Sequence, residues 1–363
     1  MMAEPLLSVV LCSRNDRYMG DSRWRLRTAL DYLGERVADL GFADRVEVLV
    51  TDWGSDVPLH EVVTLRPAAA AITSFVVVPP DIARRRQRDS PFPEVLALNA
   101  AARRARGRFI GRIDQDILVG ERFLRVFAEA AGDGSPRWDR ALLFANRRGI
   151  PYRFAAQGPS FANVTRFVRL AGESLKIERH NRYTGNVYWT SYVGMWLAHR
   201  DLWHECGGYD ERMIYYNWME ADMICRLRPR YPILDLGLLS GYDFYHLEHY
   251  HPRASLFARA HVRKNAAVDL RAAAPALHPN ASSWGLSDEA LVVEPARVAS
   301  PESLAPPDHR NDEVNAFAQN MAALARDMVA DRAVIYWAVQ TRLWGRRWRR
   351  LSGRGRQPAE GHS

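Results

Sequence analysis

Four short apolar runs, each closed by turn-forming or polar residues, organise the first third of the chain. LLSVVLC (residues 6–12) is continuous and β-branched, as a strand buried on both faces requires. VEVLVTDWGSD (46–56) and SFVVVPP (74–80) repeat the pattern, the latter stopped by prolines. Between the first two runs Leu26, Leu30, Leu33, Val37 and Leu40 recur at helical spacing, predicting a helix over 22–40. PEVLALNAAARRAR (93–106) reads as a second helix and RFIGRID (108–114) as a fourth strand. This alternation predicts an α/β domain on a mostly parallel sheet flanked by helices. Ligands of such sheets bind beyond the carboxyl ends of the strands. Polar residues gather at those ends: Ser13, Arg14, Asn15 and Asp16, then Asp52, Ser55 and Asp56, then Asp114 and Asp116.

Farther along, ECGGYDERMIYYNWMEADMICRL (205–227) precedes FYHLEHYHPR (244–253), which sets His246, His249 and His251 within six residues. From 276 to 310 the chain is dense in Pro, Ala and Ser and reads as an irregular connection. Val314, Phe317, Met321, Leu324 and Met328 return to three-four spacing, predicting an amphipathic helical extension over 311–350. It ends in TRLWGRRWRRLSGRGR, seven arginines interleaved with two tryptophans, and 351–363 is expected to be a disordered tail.

Composition narrows the class. The 363 residues, 47% hydrophobic and 25% charged, suit a soluble globular protein of one large domain with attachments, or of two domains. The opening MMAEPLLSVVLCSRND has no basic leader, so it reads as the first strand rather than a signal peptide. Cys12, Cys206 and Cys225 have neither metal nor disulfide spacing and read as buried reduced thiols, which points to a reducing, cytoplasmic setting. The net charge is +8, and lysine stands only at Lys176 and Lys264. Arginine forks suit phosphate. No recognised nucleic-acid motif accompanies the basic terminal segment, so nucleic acid is not the expected partner.

Two carboxylates one residue apart in DQD, Asp114 and Asp116, can meet on one side of a turn. There they would make a site for a hard cation such as Mg²⁺ or Mn²⁺, which in turn implies a phosphate. The plain alternative is a solvated turn. Glu220 and Asp222 lie at a helix start among Tyr215, Tyr216 and Trp218, which would desolvate a carboxylate and raise it toward a general base. The alternative there is an acidic helix start answering the dipole.

Taken in order, SVVLCSRND, VLVTDWGSD, LALNAAARRARGRFIGRIDQDI and GGYDERMIYYNWMEADMICRL resemble a family 2 inverting glycosyltransferase of the GT-A fold, across roughly residues 6–250. The resemblance implies a nucleotide-binding half (1–120) and an acceptor and catalytic half (121–275) of one domain, 1–275. It implies metal contacts from Asp116, Asp114 and His246, with His249 and His251 as rivals to the last. It implies a donor pocket of Ser13, Arg14, Asn15, Asp52, Asn99, Arg112 and Asp114, with Asp52 accepting from a base that in the family is most often uracil. Acceptor stacking falls to Trp189 and Trp218. The chain departs from the family pattern at Trp53 and at Met219-Glu220, which leaves Glu220 and Asp222 competing as the base. The implied reaction is metal-dependent transfer from a nucleotide-diphosphate sugar, UDP-linked, to a glycan or lipid-linked acceptor. The arginine-rich end suits a peripheral position on an anionic membrane, and an oligomer is compatible with all of this. A retaining glycosyltransferase, a nucleotidyltransferase and a catalytically silent sugar-binding module remain the alternatives.

Overall fold

The computed structural model describes residues 4–300 apart from 17–20, 133–135, 179–192, 250–262, 267 and 269–274. The chain divides into two units at Pro306, and every described residue lies in the first. The expected helix 311–350, the tail 351–363, Trp189 and His251 lie outside the described residues.

All four expected strands form, as Leu7–Ser13, Val46–Trp53, Thr73–Val78 and Phe109–Arg112. The two helices span Ser22–Asp39 and Glu94–Arg104. The strands belong to an eight-stranded sheet ordered Ile233–Asp235, Leu142–Asn146, Val193–His199, Phe109–Arg112, Leu7–Ser13, Val46–Trp53, Thr73–Val78, Val292–Pro295. Six strands run one way, while Val193–His199 and Val292–Pro295 oppose them. The mostly parallel α/β sheet read from the alternation is what forms. Strands from beyond residue 120 share its core.

Continuous apolar strands make sense because both faces are covered. Val10, Ile110 and Trp196 belong to one apolar layer, together with residues of the helices Glu94–Arg104 and Met219–Leu227. Val9, Phe109 and Leu197 belong to the other, together with Ser22–Asp39 and Glu121–Gly132. A second, three-stranded sheet orders Ile117–Val119, Phe244–Leu247 and Arg148–Ile150. The DQD turn is the corner where the chain leaves one sheet for the other.

Residues 276–300 are not the irregular connection that their composition suggested. Trp284–Leu286 forms a tight turn with Trp284 buried, Val292–Pro295 adds an edge strand to the main sheet, and Arg297–Val298 pairs with Thr64–Leu65. A four-residue edge strand ending in proline leaves little periodic trace, which explains the misreading. Arg104 donates to the carbonyls of Gly285 (2.7 Å) and Leu286 (2.9 Å), while Arg85 and Arg86 pair with Asp288 and Glu289. Trp284→Ala is therefore expected to destabilise the domain by about 3–5 kcal/mol in urea unfolding, as for a core aromatic. An unchanged midpoint would mean that this strap is not part of the core.

Candidate active site

The turn after Phe109–Arg112 is closed by the Ile117 N–H donating to the Asp114 carbonyl at 3.2 Å. Its two carboxylates diverge. The antiparallel ladder pairs Phe244 with Val119 and His246 with Ile117, and the Leu247 N–H donates to the Asp116 carbonyl at 2.9 Å. That register brings His246 beside Asp116. Nε2 of His246 lies 3.3 Å from Asp116 Oδ1, Nε2 of His249 lies 3.4 Å from Oδ2, and Nε of Arg25 lies 3.3 Å from Oδ2. Burial pushes the Asp116 carboxyl up, but His246, His249 and Arg25 outweigh it and hold it well below the usual range. Burial and Arg147 push the His246 imidazole down, yet Asp116 and Glu248 carry it up to about 9.

Asp116, His246 and His249 present one carboxylate oxygen and two imidazole nitrogens within 4.8 Å of one another. One oxygen and two nitrogens suit Mn²⁺ better than Mg²⁺. Nδ1 of His246 faces Glu248 at 2.8 Å, the partner that orients a metal-ligating imidazole. The donor set fits a divalent cation. Asp114, expected to share that role, is not in this cluster. Its Oδ1 faces Arg112 at 2.8 Å and its Oδ2 faces Arg147 at 2.9 Å.

On the opposite side, one guanidinium nitrogen gathers three carboxylates. Nη2 of Arg112 lies 2.5 Å from Glu94, 2.8 Å from Asp114 and 3.4 Å from Glu220. Arg112 and Glu220 are buried, whereas Glu94 and Asp114 are half-buried, so the cluster opens toward the latter two. Glu220 is in the first turn of Met219–Leu227. Burial raises its carboxyl, Arg112 offsets part of the effect and Glu94 adds to it, leaving it at about 7. Asp222 points elsewhere: its Oδ2 is 2.7 Å from Nε of Arg226, which also donates to the carbonyls of Cys206 and Gly208. The structure thus separates the two base candidates, with Glu220 at the DQD turn and Asp222 in a structural ion pair.

The expected donor residues divide in a similar way. Ser13 donates to Gln115 inside the turn at 2.5 Å, and Arg14 lies over the Phe92 ring and donates to the Pro91 carbonyl. The Asn15 N–H donates to Ser55, and Ser55 in turn donates to Asp52. Asp52 also accepts from the Leu59 N–H at 2.6 Å, so both its oxygens hold the turn together. Asn99 is fully buried and clasps the Tyr209 backbone in both directions at 2.9 Å. Gly208 permits this clasp: its φ is +72°, and a Cβ there would sit 2.4 Å from Asn99 Oδ1. Asn99 is thus a fold staple. Trp218 is half-buried at the head of the Glu220 helix.

Glu94, Arg25, Arg147, Glu178 and Glu248 were missed by sequence reasoning. Arg25 carried a signal, since it is a charge on the buried face of its helix. Glu248 carried one as well, lying between two histidines. Glu178 pairs with Arg147 at 2.9 Å and carried none.

No family model matches the chain, and no curated protein sequence matches it. Among solved structures it is similar to Staphylococcus aureus TarS residues 1–349, at 14% identity and a TM-score of 0.42, covering 66% of this chain and 60% of that one. The same fragment in complex with UDP gives 14%, 0.43, 66% and 59%. The catalytic domain of Drosophila β1,4-galactosyltransferase 7 with xylobiose gives 9%, 0.37, 73% and 82%. The chain thus spans about three-fifths of the TarS fragment it matches.

The raised Glu220 carboxyl favours the fold below its ordinary value of 4.5, and that contribution is lost as pH climbs through about 7. Glu220→Gln removes the loss. Relative to the unsubstituted chain it is expected to gain up to about 3 kcal/mol between about pH 5 and pH 8, read by urea unfolding. The same difference at both pH values would refute the raised carboxyl.

Proposed function

We propose that this chain is an inverting glycosyltransferase of the GT-A type. It moves a sugar from a nucleotide-diphosphate sugar, UDP-linked, to a hydroxyl of a glycan or lipid-linked acceptor. The carrying observation is that a single turn separates two kinds of carboxylate. Arg112 ties Asp114 to the near-neutral carboxyl of Glu220, while Asp116 faces His246 and His249. A binding module needs no base at that position.

Glu220 takes the proton of the acceptor hydroxyl as that oxygen bonds to the anomeric carbon. The bond from that carbon to the diphosphate oxygen breaks, and its electron pair leaves on the nucleoside diphosphate. Attack opposite the leaving group inverts the anomeric centre. Arg25 beside Asp116, and Arg112 and Arg147 beside Asp114, would offer guanidinium donors to the departing charge. Mn²⁺ or Mg²⁺ held by Asp116, His246 and His249 would neutralise charge on the diphosphate. Asp222, bound to Arg226, ranks second as base.

Among the described residues no helix is long and apolar enough to cross a membrane. The arginine–tryptophan segment at 341–356 supports a peripheral position on the cytoplasmic face of an anionic membrane, each cation adding about 1 kcal/mol near the surface.

A panel of nucleotide sugars, beginning with UDP-GlcNAc and scored for Mn²⁺-dependent hydrolysis, tests the class. The anomeric configuration of the transfer product tests inversion. Asp116→Asn is expected to lower turnover by about a hundredfold or more with the fold intact, and near-normal turnover at saturating Mn²⁺ would sink the cation role. Glu220→Gln should abolish transfer while UDP binding persists, and kcat/KM of the unsubstituted chain should rise with pH through about 7. An active Glu220→Gln beside a dead Asp222→Asn would reverse the two roles. Truncation after residue 340 should leave UDP-GlcNAc hydrolysis unchanged and abolish sedimentation with phosphatidylserine vesicles. Equal sedimentation of both forms would refute the membrane role.

A further inference from the structure

Glu220 enters the site from an unusual helix start. Asn217 and Trp218 both hold left-handed backbone, at φ 69° and 75°, and Trp218 is the N-cap with no side-chain capping bond. A bulky aromatic rarely adopts that region, so something outside the pair must impose it. The Asp222 N–H donates to the Trp218 carbonyl at 2.9 Å, so this forced pair sets where the helix begins.

Asn265, distant in sequence and 9% exposed, holds the segment that leads into the turn. Its amide nitrogen reaches the carbonyls of Met213 (3.3 Å), Tyr215 (2.6 Å) and Asn217 (2.7 Å), and its oxygen accepts from the Tyr215 N–H at 3.0 Å. Its own N–H donates to the Tyr216 carbonyl at 3.0 Å. Its two amide hydrogens hold the carbonyls of Tyr215 and Asn217 most closely, the latter being the peptide between the two left-handed residues. The arm's other side is tied as well. Ser90 donates to the Ile214 carbonyl at 2.6 Å, Tyr215 donates to Asp89 at 2.5 Å, and Arg263 lies 4.1 Å over the Tyr215 ring.

We propose that Asn265 is a positioning residue for Glu220: it clamps the Met213–Asn217 arm, imposes the left-handed turn and thereby aims the first turn of the helix at Arg112. Were the turn to relax to negative φ, the helix would start in another direction, and each residue of register would swing Glu220 by about 100°. This inference rests on Glu220 serving as the base only for its catalytic consequence.

Hydrogen exchange of the full chain tests the positioning without any substrate. Asn265→Ala is expected to speed exchange at the start of Met219–Leu227 about tenfold, leaving Ser22–Asp39 unchanged. Asn217→Gly, which relieves the conformational strain, should return most of that protection in the same background. If Asn265→Ala does not fold, Asn265→Asp keeps the shape and the acceptor while removing the donors, and should show the same local loss. In turnover of UDP-GlcNAc with Mn²⁺, either Asn265 variant should lower kcat about tenfold with KM nearly constant, and Asn217→Gly should rescue kcat. Unchanged exchange at the helix start, or a loss that Asn217→Gly does not relieve, overturns the proposal. Local exchange as expected in a chain that turns over no nucleotide sugar would overturn the transferase reading and leave the positioning standing.

Discussion

Arg112 is the constraint on which the site depends. The residue is 3% exposed, and a charge so far from water persists only when closely paired. Here the pairing is excessive, with Glu94, Asp114 and Glu220 all on one nitrogen. Three carboxylates within reach of one another repel, and only the cation between them makes the arrangement tolerable. That requirement fixes three elements at once: the strand Phe109–Arg112, the first turn of Glu94–Arg104 and the first turn of Met219–Leu227. Burial carries the Glu220 carboxyl up to about 7 even against the pull of Arg112.

From Arg112 opposite charges alternate as far as Glu178, where two acids meet. Asp114 hands over to Arg147, and Arg147 to Glu178. Glu178 lies beside Glu248 and His246, with one ligand atom of each within 4.8 Å of the others, and His246 faces both Glu248 and Asp116. The prospective base and the prospective cation site are thus ends of one polar network. A network of this kind is rigid while every member is satisfied, and its members respond together when one charge changes. Binding of a cation at Asp116, His246 and His249 would require His246 to give up the proton that Asp116 and Glu248 favour. Both ends would feel that change.

The scaffold was legible in the chain because it follows from periodicity. Buried parallel strands need unbroken apolar runs, and their ends need turn residues; both are local. The turn at 114–116 was legible as a strand end, but its carboxylates, expected at one cation, diverge, with Asp114 on Arg112 and Arg147 and Asp116 beside His246. What could not be read were partners brought together by topology. Glu94 belongs to the cluster because its helix begins beside the end of Phe109–Arg112, and Arg25 because its helix lies under the other sheet. Neither relation leaves a spacing. The strap at 276–300 escaped for a different reason, since an edge strand four residues long carries almost no pattern.

Asp52 and Asn99 show a second use for polar side chains at the strand ends. Both are polar groups at a place where a ligand is expected, and both are occupied by the protein. The α/β sheet concentrates loops at the carboxyl ends of its strands, and loops leave backbone N–H and carbonyl groups that no ladder satisfies. The same short polar side chains that bind ligands also satisfy those groups. Asp52 serves Ser55 and the Leu59 N–H, while Asn99 serves Tyr209. Composition cannot distinguish the two uses; partner distances can. By that measure Glu94, Asp114, Asp116, Glu220, His246 and His249 face other ionisable groups. Those side chains are where the fold accepts electrostatic tension that apolar packing would avoid, and the chemistry of the site is to be sought among them.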